Sequence, residues 1–73
     1  MITIGEFLKQ CRIKRDLTQF QVSEAVNCTV TYVSYVECGR RLPSFKMLQK
    51  LAMFYRTDIV VVIGQNGEIF YKG

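Results

Sequence analysis

Seventy-three residues, 49% hydrophobic and 22% charged with a formal net charge of +4, make one domain near the size at which a single core needs help from a staple or a second copy. The longest apolar run, Ile59 to Ile63, falls far short of the roughly 20 residues that span a bilayer. No basic stretch followed by an apolar segment opens the chain, so a soluble cytoplasmic protein with no membrane partner is expected. Three cysteines (Cys11, Cys28, Cys38) without close pairing, no histidine and six scattered carboxylates argue against a metal site, a disulfide framework, a cofactor and an enzyme. The cysteines are expected to be reduced packing residues.

Thr3-Ile4-Gly5-Glu6 has capping-box spacing, and Ile4, Phe7, Leu8 and Cys11 recur at i, i+3, i+4, i+7, which predicts a first helix over about 4–15. Lys9, Lys14 and Arg15 fall outside its apolar stripe. Thr18 and Gln21 repeat the capping-box spacing and start a second helix, while Thr29 caps a third that Gly39 closes. Propensity alone makes residues 29–36 a strand, because Val, Thr and Tyr dominate. The apolar i, i+3 pair Val33 and Val36, between a cap and a closing glycine, argues for helix instead. With only Asn27 and Cys28 between them, the two segments read as a helix-turn-helix.

Arg40-Arg41-Leu42-Pro43 is a loop, and Ser44 caps a fourth helix over about 45–55 whose apolar face is Phe45, Leu48, Leu51, Ala52 and Tyr55. The β-branched run Ile59-Val60-Val61-Val62-Ile63, then Asn66-Gly67, then Ile69-Phe70-Tyr71, reads as a β-hairpin. Counting from an Asn-Gly turn pairs Gln65 with Glu68, Ile63 with Phe70 and Val62 with Tyr71. Both faces are then apolar, and packing one on helix four leaves the other and a strand edge without cover. Residues 59–73, with Ile59, Val60, Val61, Val62, Ile63, Ile69, Phe70 and Tyr71 at the interface, are therefore the expected dimerisation element.

The spacing Leu17-Thr18-Gln19, Val22, Asn27, Thr29, Val33-Ser34, Val36-Glu37 and Gly39 resembles the phage-repressor (Cro/CI, XRE) class of helix-turn-helix proteins over about residues 4–55. The departures are Ser23 for the usual alanine, Asn27 for glycine and Cys28 for an aliphatic residue. Serine is small, asparagine tolerates the left-handed conformation and free cysteine packs as a small hydrophobe. The expected fold is mainly α, a four-helix repressor-like helix-turn-helix domain (1–58) with a C-terminal β-hairpin (59–73).

The resemblance implies a sequence-specific transcriptional regulator that binds double-stranded DNA, a repressor acting as a homodimer on an inverted repeat. An antitoxin-like subunit that binds a toxin and regulates its own operon is the alternative. Because Val33 and Val36 point inward, Val30, Thr31, Ser34 and Tyr35 face outward with Tyr32 at the edge; by resemblance the main base readers are Val30, Thr31 and Tyr35. Val30 and the Thr31 methyl suit a thymine methyl, and the hydroxyls of Thr31 and Tyr35 suit base or phosphate acceptors. No arginine or asparagine on this face announces a guanine or an adenine.

The matching family glutamine, here Gln19, contacts the DNA backbone and braces the recognition helix. Thr18, Thr29, Arg40, Arg41, Ser44, Phe45 and Lys46 complete the expected phosphate-facing set, Thr18 through its N–H or hydroxyl. The resemblance further implies an ion pair between Arg12 and Glu37. Phe20, where the family is usually polar, is an unassigned hydrophobe that either meets the hairpin or stands alone on the surface.

Overall fold

The computed structural model describes residues 2–57, 60–63 and 69–72, the last two stretches by their backbone alone. Four helices carry the fold: α1 (Ile4–Lys14), α2 (Gln19–Ala25), α3 (Val30–Glu37) and α4 (Phe45–Tyr55). Each follows a hydroxyl residue that accepts from the N–H three positions on: Thr3 from Glu6, Thr18 from Gln21, Thr29 from Tyr32 and Ser44 from Met47, at 3.0–3.2 Å. Only α2 has the full reciprocal box, with the Thr18 N–H donating 2.8 Å to Gln21 Oε1. At α1 the hydroxyl half alone forms, so the box expected from Thr3 and Glu6 is half right.

The turn between α2 and α3 closes through Asn27, which takes a left-handed φ of 58°, and the Cys28 N–H, which donates 2.9 Å to Ser23 O. Buried Ser23 spends its hydroxyl within its own helix on Phe20 O, at 2.7 Å. Gly39 closes α3 at φ 83°, a backbone that glycine enters without a Cβ penalty. Residues 30–37 are thus a helix despite their strand propensity, because burial of Val33 and Val36 and the cap at Thr29 outweigh it.

The core is Ile4, Leu8, Val22, Val26, Val33, Val36, Leu48, Leu51 and Tyr55, flanked by the half-buried Phe7, Cys11, Leu17, Cys28 and Tyr32. Gly5, buried in the first turn of α1, faces the carbonyl end of α3. A Cβ there would collide with Val36 O and stand 2.7 Å from Glu37 O, so the two helices meet at a contact that only glycine permits. Arg15 donates 2.9 Å to Tyr55 O, and its guanidinium lies over the Phe54 ring, fastening α1 to the end of α4. Two expectations fail in the helices. Phe45, assigned to the buried face of α4, is 83% exposed, because as the first helical residue it lies before the stripe set by Leu48, Leu51 and Tyr55. Cys38, expected to pack, is exposed, because it caps α3 beyond the last residue that the core covers.

Strands β1 (Val60–Ile63) and β2 (Ile69–Lys72) pair antiparallel with Ile63 opposite Ile69 and Val62 opposite Phe70, and β2 runs beside α1. This is one residue away from the register expected from an Asn-Gly centre. Ile63 opposite Ile69 puts an odd number of residues between the paired positions, which a two-residue turn centred on Asn66-Gly67 cannot bisect. Apolar residues at both alternations leave register weakly specified, so the hydrophobic pattern cannot settle a one-residue slip. Ile59 and the proposed Asn66-Gly67 turn lie outside the described residues, as do the side chains of Val60, Val61, Val62, Ile63, Ile69, Phe70 and Tyr71.

Candidate nucleic-acid interface

The buried pair Val33 and Val36 fixes the rotation of α3 about its axis. The opposite face then presents Val30, Thr31 and Tyr35 to solvent, with Val30 43% and Tyr35 41% exposed, while Ser34 is half-buried. Tyr32 lies lower, half-buried and packed against the core. Its packing is that of a flank residue, not of a side chain standing clear of the helix.

A buried polar cluster fixes the end of α3. Glu37, only 8% exposed, receives Arg12 Nε on Oε2 at 2.8 Å and Arg12 Nη2 on Oε1 at 3.0 Å, a fork that fits a carboxylate along two bonds. Gln19 Nε2 adds a third donor to Oε1 at 3.1 Å, and Arg12 Nη1 donates 2.9 Å to Leu17 O. One carboxylate therefore joins α1, the start of α2 and the end of α3. The Glu37 hydrogen bond raises the Arg12 guanidinium further above its ordinary value, against the opposing effect of burial. The Arg12 guanidinium therefore stays charged.

Cations gather where α3 ends. The N–H groups of Arg40 and Arg41 both donate to Tyr35 O, at 2.9 and 3.2 Å, which folds the loop back on the helix. The Arg40 guanidinium then sits 5.3 Å from the Tyr35 ring centre and that of Arg41 5.2 Å from Tyr32, within cation–π range. Both arginines and Lys46 are exposed, and none takes part in an ion pair among the described residues. Exposed Thr18, Thr29 and Ser44 cap the N-termini of α2, α3 and α4, with Phe45 and Leu42 bare beside the cations. The expectation that the Thr18 N–H is open to a phosphate is corrected, since Gln21 occupies it; only the hydroxyl proton remains. Phe20 stands 59% exposed.

The residues thus fall into three groups: Val30, Thr31 and Tyr35 on the outer face, Arg40, Arg41 and Lys46 around its end, and Arg12, Gln19 and Glu37 bracing it from beneath. Sequence reading missed Gly5, the Gln19–Glu37 bond and the two arginine–tyrosine stacks. Gly5 carries no signal until α1 and α3 are assembled, whereas the resemblance already gives Gln19 as a brace of the recognition helix without naming Glu37 as its partner. The i, i+5 and i, i+9 spacings of the stacks follow only from the reversal after Gly39.

The helix-turn-helix domain family matches residues 3–62. The chain is 34% identical over 59 residues to the ImmF control region 10 kDa protein of Bacillus phage phi105, covering 81% of this chain and 66% of that protein. To the Immunity repressor protein of the same phage it is 30% identical over 65 residues, covering 89% and 45%. To the transcriptional regulator ClgR of Mycobacterium tuberculosis it is 28% identical over 65 residues, covering 89% and 58%. The chain therefore spans from under half to about two thirds of the length of these relatives.

Proposed function

The chain belongs to the helix-turn-helix domain family, and from that membership we propose that it is a sequence-specific double-stranded DNA-binding transcriptional regulator, a repressor acting as a homodimer on an inverted repeat. One observation carries the reading: an outward, exposed face of α3, ringed by Arg40, Arg41 and Lys46 and held from behind by the Arg12–Glu37–Gln19 cluster. In the docking geometry of this motif the second helix enters the major groove with its first residues against the base edges. Val30, Thr31 and Tyr35 take that place, with Ser34 beside them, and Tyr32 serves as the platform of Arg41.

The phosphates on either side go to Arg40, Arg41 and Lys46 and to the helix starts at Thr18, Gln19, Thr29, Ser44 and Phe45. These contacts set register and supply affinity without reading sequence. Membership of the family and the relatives named as an immunity repressor and a transcriptional regulator favour a regulator over an enzyme.

For the homodimer, the two apolar alternations of residues 59–72 supply the argument, since a two-stranded ribbon alone is marginal in water. Joining two such ribbons gives a two-fold assembly whose recognition helices stand about one DNA turn, roughly 34 Å, apart. Selection of bound sequences from randomised duplexes tests the whole reading. Two inverted half-sites are expected, with Val61→Glu reducing sedimenting dimer and weakening full-site binding. A consensus without two-fold symmetry, or a Val61→Glu protein that stays dimeric, contradicts the dimer.

A further inference from the structure

We infer that α3 takes its sequence preference mainly from the C5-methyl groups of pyrimidines in the major groove, carried by thymine or by 5-methylcytosine. The inference rests on the DNA-binding reading above and specifies what that face recognises. Each base pair offers donors and acceptors to the major groove, and its one apolar handle is the pyrimidine methyl. A helix that reads guanine or adenine by a bidentate pair needs a guanidinium, ammonium or amide at its groove end. On the outer face of α3 there is none.

The polar groups nearest that face are held elsewhere. The amide nitrogen of Gln19 donates to Glu37 Oε1 at 3.1 Å, which turns the group that would read an adenine toward the protein. The Arg40 and Arg41 guanidiniums lie over Tyr35 and Tyr32, and their backbone N–H groups are tied to Tyr35 O. That draws Arg40 toward the C-terminal half of α3 and holds the Arg41 guanidinium against the half-buried Tyr32 at the flank of the helix. What stands at the N-terminal end is a valine 43% exposed and an exposed threonine in the first turn. Both are β-branched and stiff at χ1 within a helix, so their methyl groups are held in place before DNA arrives. The part of Val30 left exposed gains nothing from folding, and covering a pyrimidine methyl is the contact that it can make.

The test uses the full chain and a duplex taken from an unmodified randomised pool. Thymines are replaced one at a time by uracil, which removes only the methyl, and affinity is read by anisotropy. At one or more positions of each half-site the loss should be about fourfold per methyl, the worth of one buried methylene-sized group. Val30→Ala, or Thr31→Ala at a neighbouring position, should bind thymine and uracil forms alike, with circular dichroism confirming that these surface variants remain folded. At the same position a 5-methylcytosine·guanine pair should bind more tightly than cytosine·guanine, which separates the methyl from the rest of the thymine edge. Equal affinity for thymine and uracil at every position, discrimination that survives both variants, or no gain from 5-methylcytosine overturns the inference while leaving DNA binding intact. Failure to bind any duplex overturns the DNA-binding reading instead.

Discussion

Arg12 Nε lies 2.8 Å from Glu37 Oε2, joining the last turn of α1 to the last residue of α3. The two side chains are 14% and 4% exposed, so the carboxylate is the partner that water cannot rescue. Arg12→Met leaves Glu37 buried with only Gln19 as donor and should cost about 3–5 kcal/mol, the usual consequence of stranding a buried charge. Glu37→Leu should cost less, because the freed guanidinium is nearer to solvent. The double variant should be more stable than the two single losses added together, measured by urea unfolding of all four proteins; strict additivity would mean that the pair is not coupled.

Gly5 makes a prediction that opposes helix propensity. Alanine at an exposed helix position is favoured over glycine by about 1 kcal/mol, yet here its Cβ would run into the Val36 and Glu37 carbonyls. Gly5→Ala should destabilise by about 1–3 kcal/mol, as overpacking does. A rise in thermal midpoint would show that α1 and α3 are not in close contact at this point.

The helix starts were legible because a hydroxyl cap and an apolar 3.6-residue period are local signals, as at Thr18-Gln21 and at Ser44 before Leu48 and Leu51. The inward side of α3 was legible for the same reason, since Val33 and Val36 alone fix its rotation. Gly5 was opaque: a helical glycine says nothing of which backbone approaches it. Phe45 misled because an apolar residue beside a cap resembles the start of a stripe. The strand register misled because a strong local turn pair, Asn66-Gly67, was allowed to fix what pairing along the whole ribbon decides.

Burial pushes the thiols of Cys11 and Cys28 up, and burial together with the neighbouring Glu37 pushes the Tyr55 phenol up. The unfolded chain loses these protons near the ordinary values, about 8.5 for thiols and 10 for phenols, while the folded chain still holds them. Over that window the folded state binds more protons, so stability is fully present below it and falls as pH rises. Urea midpoints should decline from about pH 8.5 to 11, and Tyr55→Phe should flatten the upper part of the decline. A midpoint that stays level to pH 11 would contradict this burial.

Arg40 and the face of α3 should respond differently to substitution. On the proposed assignment of Arg40 to a phosphate, Arg40→Ala should weaken all duplexes alike and reduce the magnitude of the salt slope of log K by about 0.9. Thr31→Ala or Tyr35→Ala should change which duplex is preferred, by about 1–3 kcal/mol. A change of base preference with Arg40→Ala and none with Tyr35→Ala would reverse the two assignments.

The most direct measurement is fluorescence anisotropy of a labelled randomised duplex titrated with the full chain, in a salt series beginning at low ionic strength, with circular dichroism confirming the fold. The predicted result is binding at low salt whose affinity falls steeply as salt is added, the signature of counterions released by cations such as Arg40, Arg41 and Lys46. A folded protein that binds no duplex even at the lowest salt would contradict the proposal that α3 is a DNA-recognition helix.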